Sequence, residues 1–275
     1  MGIFGTLDRE ILGEEIPIAA IFGDQQAALF AHGCDRSGLL KCTYGTGCFL
    51  VAQTEKITRS QNQLLSTVAW STKEQTNYAL EGAIFTTGAA IQWLRDGLKL
   101  ISNAAETESL AAQVNDTNGA YFVPALSGLG APHWDMQARG AFFGLTAGVR
   151  REHLVRSVLE AIAYQVKEVV EAVNRDCSHP VSMLKVDGGA TQNNFLMQFQ
   201  ADALGIAIER PVILDATAQG AAFGAGLTVG FWDDYSAIVA SRKVDRVFEP
   251  GQGTQAAQDN FITWSKAVDR AKNWM

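Results

Sequence analysis

Between Arg151 and Val173, the residues Val155, Val158, Leu159, Ile162, Val166, Val169, Val170 and Val173 recur three and four residues apart. That spacing puts them on one face of a single long helix, which is buried along that face. Around it the chain alternates short apolar runs, glycine turns and further helical stretches. Met183–Val186 reads as a strand, Asp187-Gly188-Gly189-Ala190 as a turn, Asn193–Leu204 as a helix and Gly205 as its C-cap. A strand over 206–209, a small-residue helix over 218–229 and an amphipathic helix over 255–274 follow.

The first half has more strands. An apolar run over 17–22, stopped by Gly23, reads as a buried strand leading into an Ala-rich helix from Gln25 to His32. Two strand-like runs over 38–53 break at Gly45-Thr46-Gly47, a hairpin turn, and further strands are expected at 64–71 and 76–84. Gly88 opens a helix carrying Ile91, Trp93, Leu94 and Leu98. The polar stretch Ser102–Gly119 reads as a surface excursion, and short strands fit 121–124 and 140–145. Strands alternating with helices, with hairpins early, predict an α/β fold with a mixed central sheet in one domain, since no Gly/Ser linker divides it.

Composition narrows the class. With 47% apolar and 19% charged residues over 275 positions the chain can bury a core, so disorder is excluded for the whole. A net charge of −7 gives no electrostatic footprint for nucleic acid or anionic membrane. No apolar run nears the roughly 18 residues that span a bilayer, and Asp8, Glu10, Glu14 and Glu15 do not fit a signal peptide; a cytoplasmic protein is expected. Cys34, Cys42, Cys48 and Cys177 lack C-x-x-C spacing and read as free thiols, and His32, His133, His153 and His179 are too dispersed for zinc; no metal ligand set is expected.

Three places could carry chemistry. In Gly23-Asp24-Gln25-Gln26 a carboxylate stands where a strand turns into a helix, at the crevice where open α/β sheets bind ligands. Asp24 can take a proton from a substrate hydroxyl, or it can simply cap the helix. In Thr43-Tyr44-Gly45-Thr46-Gly47-Cys48-Phe49, glycines either side of Thr46 let backbone amides approach phosphate oxygens, or form a plain hairpin. Asp187-Gly188-Gly189-Ala190 precedes a helix and aims its unpaired amides at an anion or a nucleotide, although it matches neither G-x-G-x-x-G nor the P-loop.

The order and spacing of these segments, with YALEGAIF (78–85), GAAIQWLRD (88–96), YFVPALSGLGAPHWD (121–135) and RGAFFGLT (139–146), resemble the carboxy-terminal half of the FGGY carbohydrate kinases. GDQQ with TYGTGCF is similar to their glycerol-specific branch. The resemblance covers residues 16–275, with 1–15 as a remnant of the inter-domain region. It implies an actin-like ATPase domain of ribonuclease H-like fold and transfer of a phosphoryl group from ATP to glycerol. By position it makes Asp24 the catalytic base, Gln25 a glycerol contact and Phe49 an apolar wall. It places Thr46, Gly45 and Gly47 at the outer phosphates, Gly88 and Gln92 near the nucleotide, and Gly189 and Asn193 on the adenosine side. Glu160, at the end of the matched Gly140–Glu160 signature, reads as a packing and polar support of its helix.

The resemblance also implies ATP or ADP with Mg²⁺, the cation held mainly by an amino-terminal domain whose motifs are not found here. The expectation is a carboxy-terminal piece that folds, is inactive without that partner domain, and self-associates through the apolar surface left uncovered. A non-catalytic nucleotide-binding remnant and a kinase for another polyol or sugar stay open beside it. Arg9–Glu15, where some members bind a sugar bisphosphate, carries Glu14 and Glu15, which argue against phosphate there.

Overall fold

The computed structural model describes residues 1–275 and places seven strands in one mixed sheet. The chain opens with β1 (Gly5–Leu7), α1 (Arg9–Leu12), β2 (Ile16–Ile18), α2 (Asp24–Ala31), β3 (Leu39–Tyr44), β4 (Cys48–Thr54), β5 (Leu65–Ser71) and β6 (Thr76–Ile84). It continues through α3 (Gly88–Asp96), α4 (Glu106–Ala111), β7 (Tyr121–Val123), β8 (Ala141–Phe143) and α5 (Arg151–Asp176). After β9 (Met183–Asp187) come a 3-10 turn (Gly189–Gln192), α6 (Asn194–Leu204), β10 (Ala207–Pro211), α7 (Ala216–Thr228), α8 (Tyr235–Ser241), β11 (Val244–Phe248) and α9 (Thr254–Ala271).

The strand order is β11-β10-β9-β3-β4-β6-β5. β3, β4, β6 and β5 pair antiparallel in that spatial order, with β6 inserted between β4 and the edge strand β5, β9 and β10 run parallel to β3, and β11 returns antiparallel on the other edge. Alternation along β3 divides the core between the two faces of the sheet. Leu40, Cys42 and Tyr44 join the larger layer with Val158, Leu159 and Ile162 of α5, Met197 of α6 and Trp264 of α9. Leu39 joins the smaller one with Leu29 and Phe30 of α2, Phe223 of α7 and Ile238 of α8. The small residues of α7 let it press on α2: a Cβ on Gly220 would stand 1.9 Å from the Ala27 carbonyl oxygen.

Three expectations need correction. The run over 17–22 is not a buried strand of the main sheet. Only Ile16–Ile18 pairs, with β1, and Ile16, Ile18 and Ile21 are 42%, 41% and 63% exposed. Pro17 has no amide to donate, which confines such a strand to an edge. Ser102–Gly119 is not a surface excursion, because α4 packs on α5 and α6 and buries Thr107, Leu110 and Ala111. Leu98 lies beyond the end of α3 and is 40% exposed rather than packed. α8 and β11 were not anticipated: β11 is an edge strand in which only Phe248 is buried, so it carries little apolar signal.

Candidate functional site

Asp24 is the first residue of α2, one place past the N-cap Gly23, so it is not the helix cap. Its Oδ1 accepts from the Gln25 amide at 2.8 Å and its Oδ2 meets only Gln25 Nε2, at 3.4 Å. The carboxylate is therefore exposed with lone pairs to spare. Beneath it lies Lys41 of β3, fully buried, which donates to Gln25 Oε1, to Thr43 Oγ1 at 3.0 Å and to the Phe49 carbonyl at 3.2 Å. Burial pulls the Lys41 pKa down, while the carboxylates of Asp187, Glu81 and Asp24 act to raise it. Glu81, on β6, has its own pKa raised by burial against the pull of Lys41. Phe49, 37% exposed on β4, pairs in register with Thr43 and so joins the same cluster.

Thr43 pairs in register with Asp187 across β3 and β9, so the two glycine turns leave the sheet at the same end. The turns also touch. Gly188 has φ +89°, and a Cβ there would lie 2.4 Å from the Tyr44 carbonyl oxygen, a place only glycine can occupy without strain. The N-terminus of α3 closes the other side. Thr87 and Ala89 amides donate to the Thr46 carbonyl, and the Gly88 amide donates to the Gly45 carbonyl at 3.1 Å. A Cβ on Gly88 would come within 2.5 Å of that oxygen, and one on Gly47 within 2.2 Å of the Ile84 carbonyl. Gly45 and Thr46 remain exposed at the tip.

Beside the second turn lies a cavity of about 230 Å³ whose walls include Ile91, Ala104, Thr107, Glu108, Gly189 and Asn193. Gly189 faces open space, with nothing within 4 Å of where a Cβ would be. Asn193 has its side chain committed: Oδ1 caps α6 by accepting from the Leu196 amide, and Nδ2 donates to Thr107 Oγ1 at 3.0 Å. Glu108 accepts twice from Asn194, at 3.1 Å each. Gln92 is exposed, next in sequence to Ile91.

The residues singled out from the sequence, Gln92 apart, thus lie along one end of the sheet in two neighbouring groups: Asp24, Gln25 and Phe49 about Lys41, and Gly45, Thr46, Gly47, Gly88, Gly189 and Asn193 about the paired turns. Lys41, the cavity wall from α4, and a buried pair behind the second turn were missed. That pair joins His32 Nε2, at the C-cap of α2, to Asp187 Oδ2 at 2.5 Å. Burial lowers the His32 pKa, which makes the ring a neutral donor to the carboxylate. The one sequence signal for Lys41 is a lone charge inside the apolar run Leu39-Leu40-Lys41-Cys42. No three His, Cys, Asp or Glu side chains come together to hold a metal ion, and no helix is long and apolar enough to cross a membrane.

A family model for the carboxy-terminal domain of the FGGY family of carbohydrate kinases matches residues 40–229. A curated glycerol kinase of Rippkaea orientalis is 71% identical over 276 residues, covering 100% of this chain and 55% of that protein. Glycerol kinase 2 of Thermotoga maritima is 55% identical over 273 residues, 99% of this chain and 55% of that one. The chain therefore spans about half the length of the curated relatives it matches. Among solved structures, Plasmodium falciparum glycerol kinase with ADP superposes with a TM-score of 0.91 at 36% identity, over 98% of this chain and 55% of that chain. A ligand-bound xylulose kinase from Lactobacillus acidophilus, at 20% identity and a TM-score of 0.85 over 98% of this chain and 56% of that one, shares the fold. The mixed sheet flanked by helices is thus the actin-like ATPase fold of these kinases.

Proposed function

The chain belongs to the FGGY family of carbohydrate kinases, and from that premise we propose that it is the base-bearing, nucleotide-holding half of an ATP-dependent glycerol kinase. The observation that carries this reading is the convergence of an exposed, under-coordinated Asp24 carboxylate and two touching glycine turns at one end of the sheet. The glycerol kinase relatives supply the substrate, and the ADP complex supplies the nucleotide class.

In this reading a glycerol hydroxyl lies against Asp24, with Gln25 Nε2 donating to a neighbouring hydroxyl and the Phe49 ring covering the carbon chain. The hydroxyl oxygen attacks the γ-phosphorus of ATP in line, the bond to the β-phosphate bridging oxygen breaks, and ADP leaves. Asp24 accepts the hydroxyl proton as the new O–P bond forms and later yields it to water. The Gly45 amide donates to the Gly47 carbonyl at 2.9 Å, and the Thr46 and Gly47 amides, which donate to no backbone carbonyl, would meet the outer phosphates. The cavity beside Gly189 is below the roughly 300–1,000 Å³ of complete ligand sites, which suits the adenosine end of a nucleotide whose phosphates extend towards Thr46. The Mg²⁺ that accompanies ATP would be held by phosphate oxygens and one or two carboxylates, mainly those of an amino-terminal domain, and the residues of this chain bind, orient and take the proton.

The test is Asp24→Asn in the chain joined to an amino-terminal domain from a relative. Turnover of glycerol should fall by roughly 10²–10⁴, the worth of a positioned base, while ADP affinity stays within about twofold. Unchanged turnover removes Asp24 from the role. A panel of glycerol, pentuloses and other polyols on the same two-domain protein separates glycerol from other family substrates.

A further inference from the structure

We propose that Lys41 is a positioning residue that locks the Gln25 carboxamide with its oxygen inward, so that Nε2 is held outward as a donor to Asp24 and the substrate. The outward half of that statement rests on the kinase reading; the inward half does not.

An ammonium has three N–H donors and no acceptor. The three acceptors around Lys41 Nζ are Gln25 Oε1, Thr43 Oγ1 and the Phe49 carbonyl, and together they use all three donors. Turning the carboxamide over would set an NH₂ group against the buried NH₃⁺, leaving donors on both sides without partners. Only one orientation of Gln25 is therefore compatible with Lys41, and the network itself fixes which end of the amide is oxygen. With Oε1 committed, Nε2 sits 3.4 Å from Asp24 Oδ2 at the exposed edge of the cluster. Lys41 thereby ties α2, β3 and β4 at the point where the carboxylate leaves the helix.

A lysine is an expensive way to fill this position. Its neighbours Leu39, Leu40 and Cys42 are buried apolar side chains, and an apolar residue would pack there without desolvating a charge. The ammonium carries what an apolar side chain lacks, an obligatory donor set. It also places positive charge under Asp24, with Glu81 and Asp187 as its other anionic neighbours.

The orientation is read on this chain alone. Its Gln25 side-chain amide resonances, identified by their loss in Gln25→Ala, should be dispersed and slow to exchange in the wild type. They should collapse to averaged positions in Lys41→Met. A folded Lys41→Met chain whose Gln25 resonances stay in place overturns the proposal. The functional half is read on the two-domain protein. There Lys41→Met and Gln25→Ala should each raise the glycerol KM about tenfold with the ATP KM within about twofold, and the double variant should be no worse than Gln25→Ala alone. Additive losses would mean that Lys41 does not act through Gln25. If Lys41→Met fails to fold, Gln25→Glu serves: it keeps an acceptor for Lys41 and loses the outward donor, so an unchanged glycerol KM overturns the proposal. A wild-type two-domain protein that does not turn over glycerol sinks the kinase reading, and the resonances of the single chain still decide the orientation.

Discussion

Glu160 lies in the middle of α5, 3% exposed, with Arg156 Nε 2.7 Å from its Oε1. Burial nevertheless pushes its carboxyl up to about 7, against the pull of the Arg156 guanidinium. Its folded pKa is therefore above the ordinary glutamate value, and between pH 4.5 and 7 the folded chain holds a proton that the unfolded chain has released. Stability drawn from this group is complete at low pH and is lost as pH rises through that window, by up to about 3 kcal/mol at 1.36 kcal/mol per pKa unit. His32 works in the opposite sense. Its lowered pKa means that the unfolded chain protonates first, so its contribution is lost as pH falls below 6.5. The difference between wild type and Glu160→Gln isolates Glu160, because Gln keeps an acceptor for Arg156 and cannot titrate. Urea unfolding from pH 4.5 to 8 should show the variant gaining on the wild type as pH rises, and exceeding it by 1 kcal/mol or more at pH 8. A constant difference would place the charged form of Glu160 in the fold at every pH. At this scale the sequence was readable where position alone carries meaning. Asp24 is legible from Gly23 opening a helix, although the buried strand expected before it is absent, whereas Lys41 and the His32–Asp187 pair depend on partners 16 and 155 residues away and leave no local pattern.

Helix α2 carries Asp24 at one end and His32 at the other, and its position over the sheet is set by how closely α7 approaches. That approach depends on Gly220, whose Cα lies against the Ala27 backbone. A methyl group there cannot be absorbed by a rotamer change, because the atom it meets is a carbonyl oxygen 1.9 Å away. Gly220→Ala should therefore destabilise the chain by about 1–3 kcal/mol, the usual cost of overpacking, although alanine is the better helix former. It should also lower turnover in the two-domain protein by displacing Asp24. Chemical denaturation beside kcat checks both, and a stabilised variant would show that the helices part without strain. Elements with dense periodic signals were legible: the stripe of α5, and the helix expected over Asn193–Leu204 with its Gly205 C-cap, appear where the spacing puts them, α6 running over Asn194–Leu204. α4 escaped because its buried face is only Thr107, Leu110 and Ala111 among acidic and polar neighbours. β2 was misread because its apolar character belongs to an exposed surface.

That exposed surface bears on the whole molecule. Ile3, Phe4, Ile11, Leu12, Ile16, Ile18 and Ile21 are all between 41% and 64% exposed along the first 21 residues, an apolar cover with nothing on it. The chain also matches only about half of each relative. The cavity beside Gly189 is walled entirely by α3, the segment over 104–108 and the turn before α6, so in the proposed reading the adenosine end of the nucleotide meets residues of this chain. In that reading proton transfer to Asp24 differs, because the carboxylate faces solvent and the proposed phosphoryl transfer needs water excluded and the second half of the cleft in place. The two properties should therefore separate. Calorimetric titration of the chain alone should detect ADP binding, and Asn193→Ala should weaken it, since the cap of α6 and the tie to Thr107 are lost together. A coupled assay on the same chain should show no glycerol-dependent ADP release until an amino-terminal domain is added. Addition of that domain should also raise the thermal midpoint, because it removes the isoleucine-rich surface from water and binds only the folded state. Ordinary kinase turnover by the chain alone would mean that its own residues close the site, and an unchanged midpoint would mean that the apolar surface is not where the second domain sits.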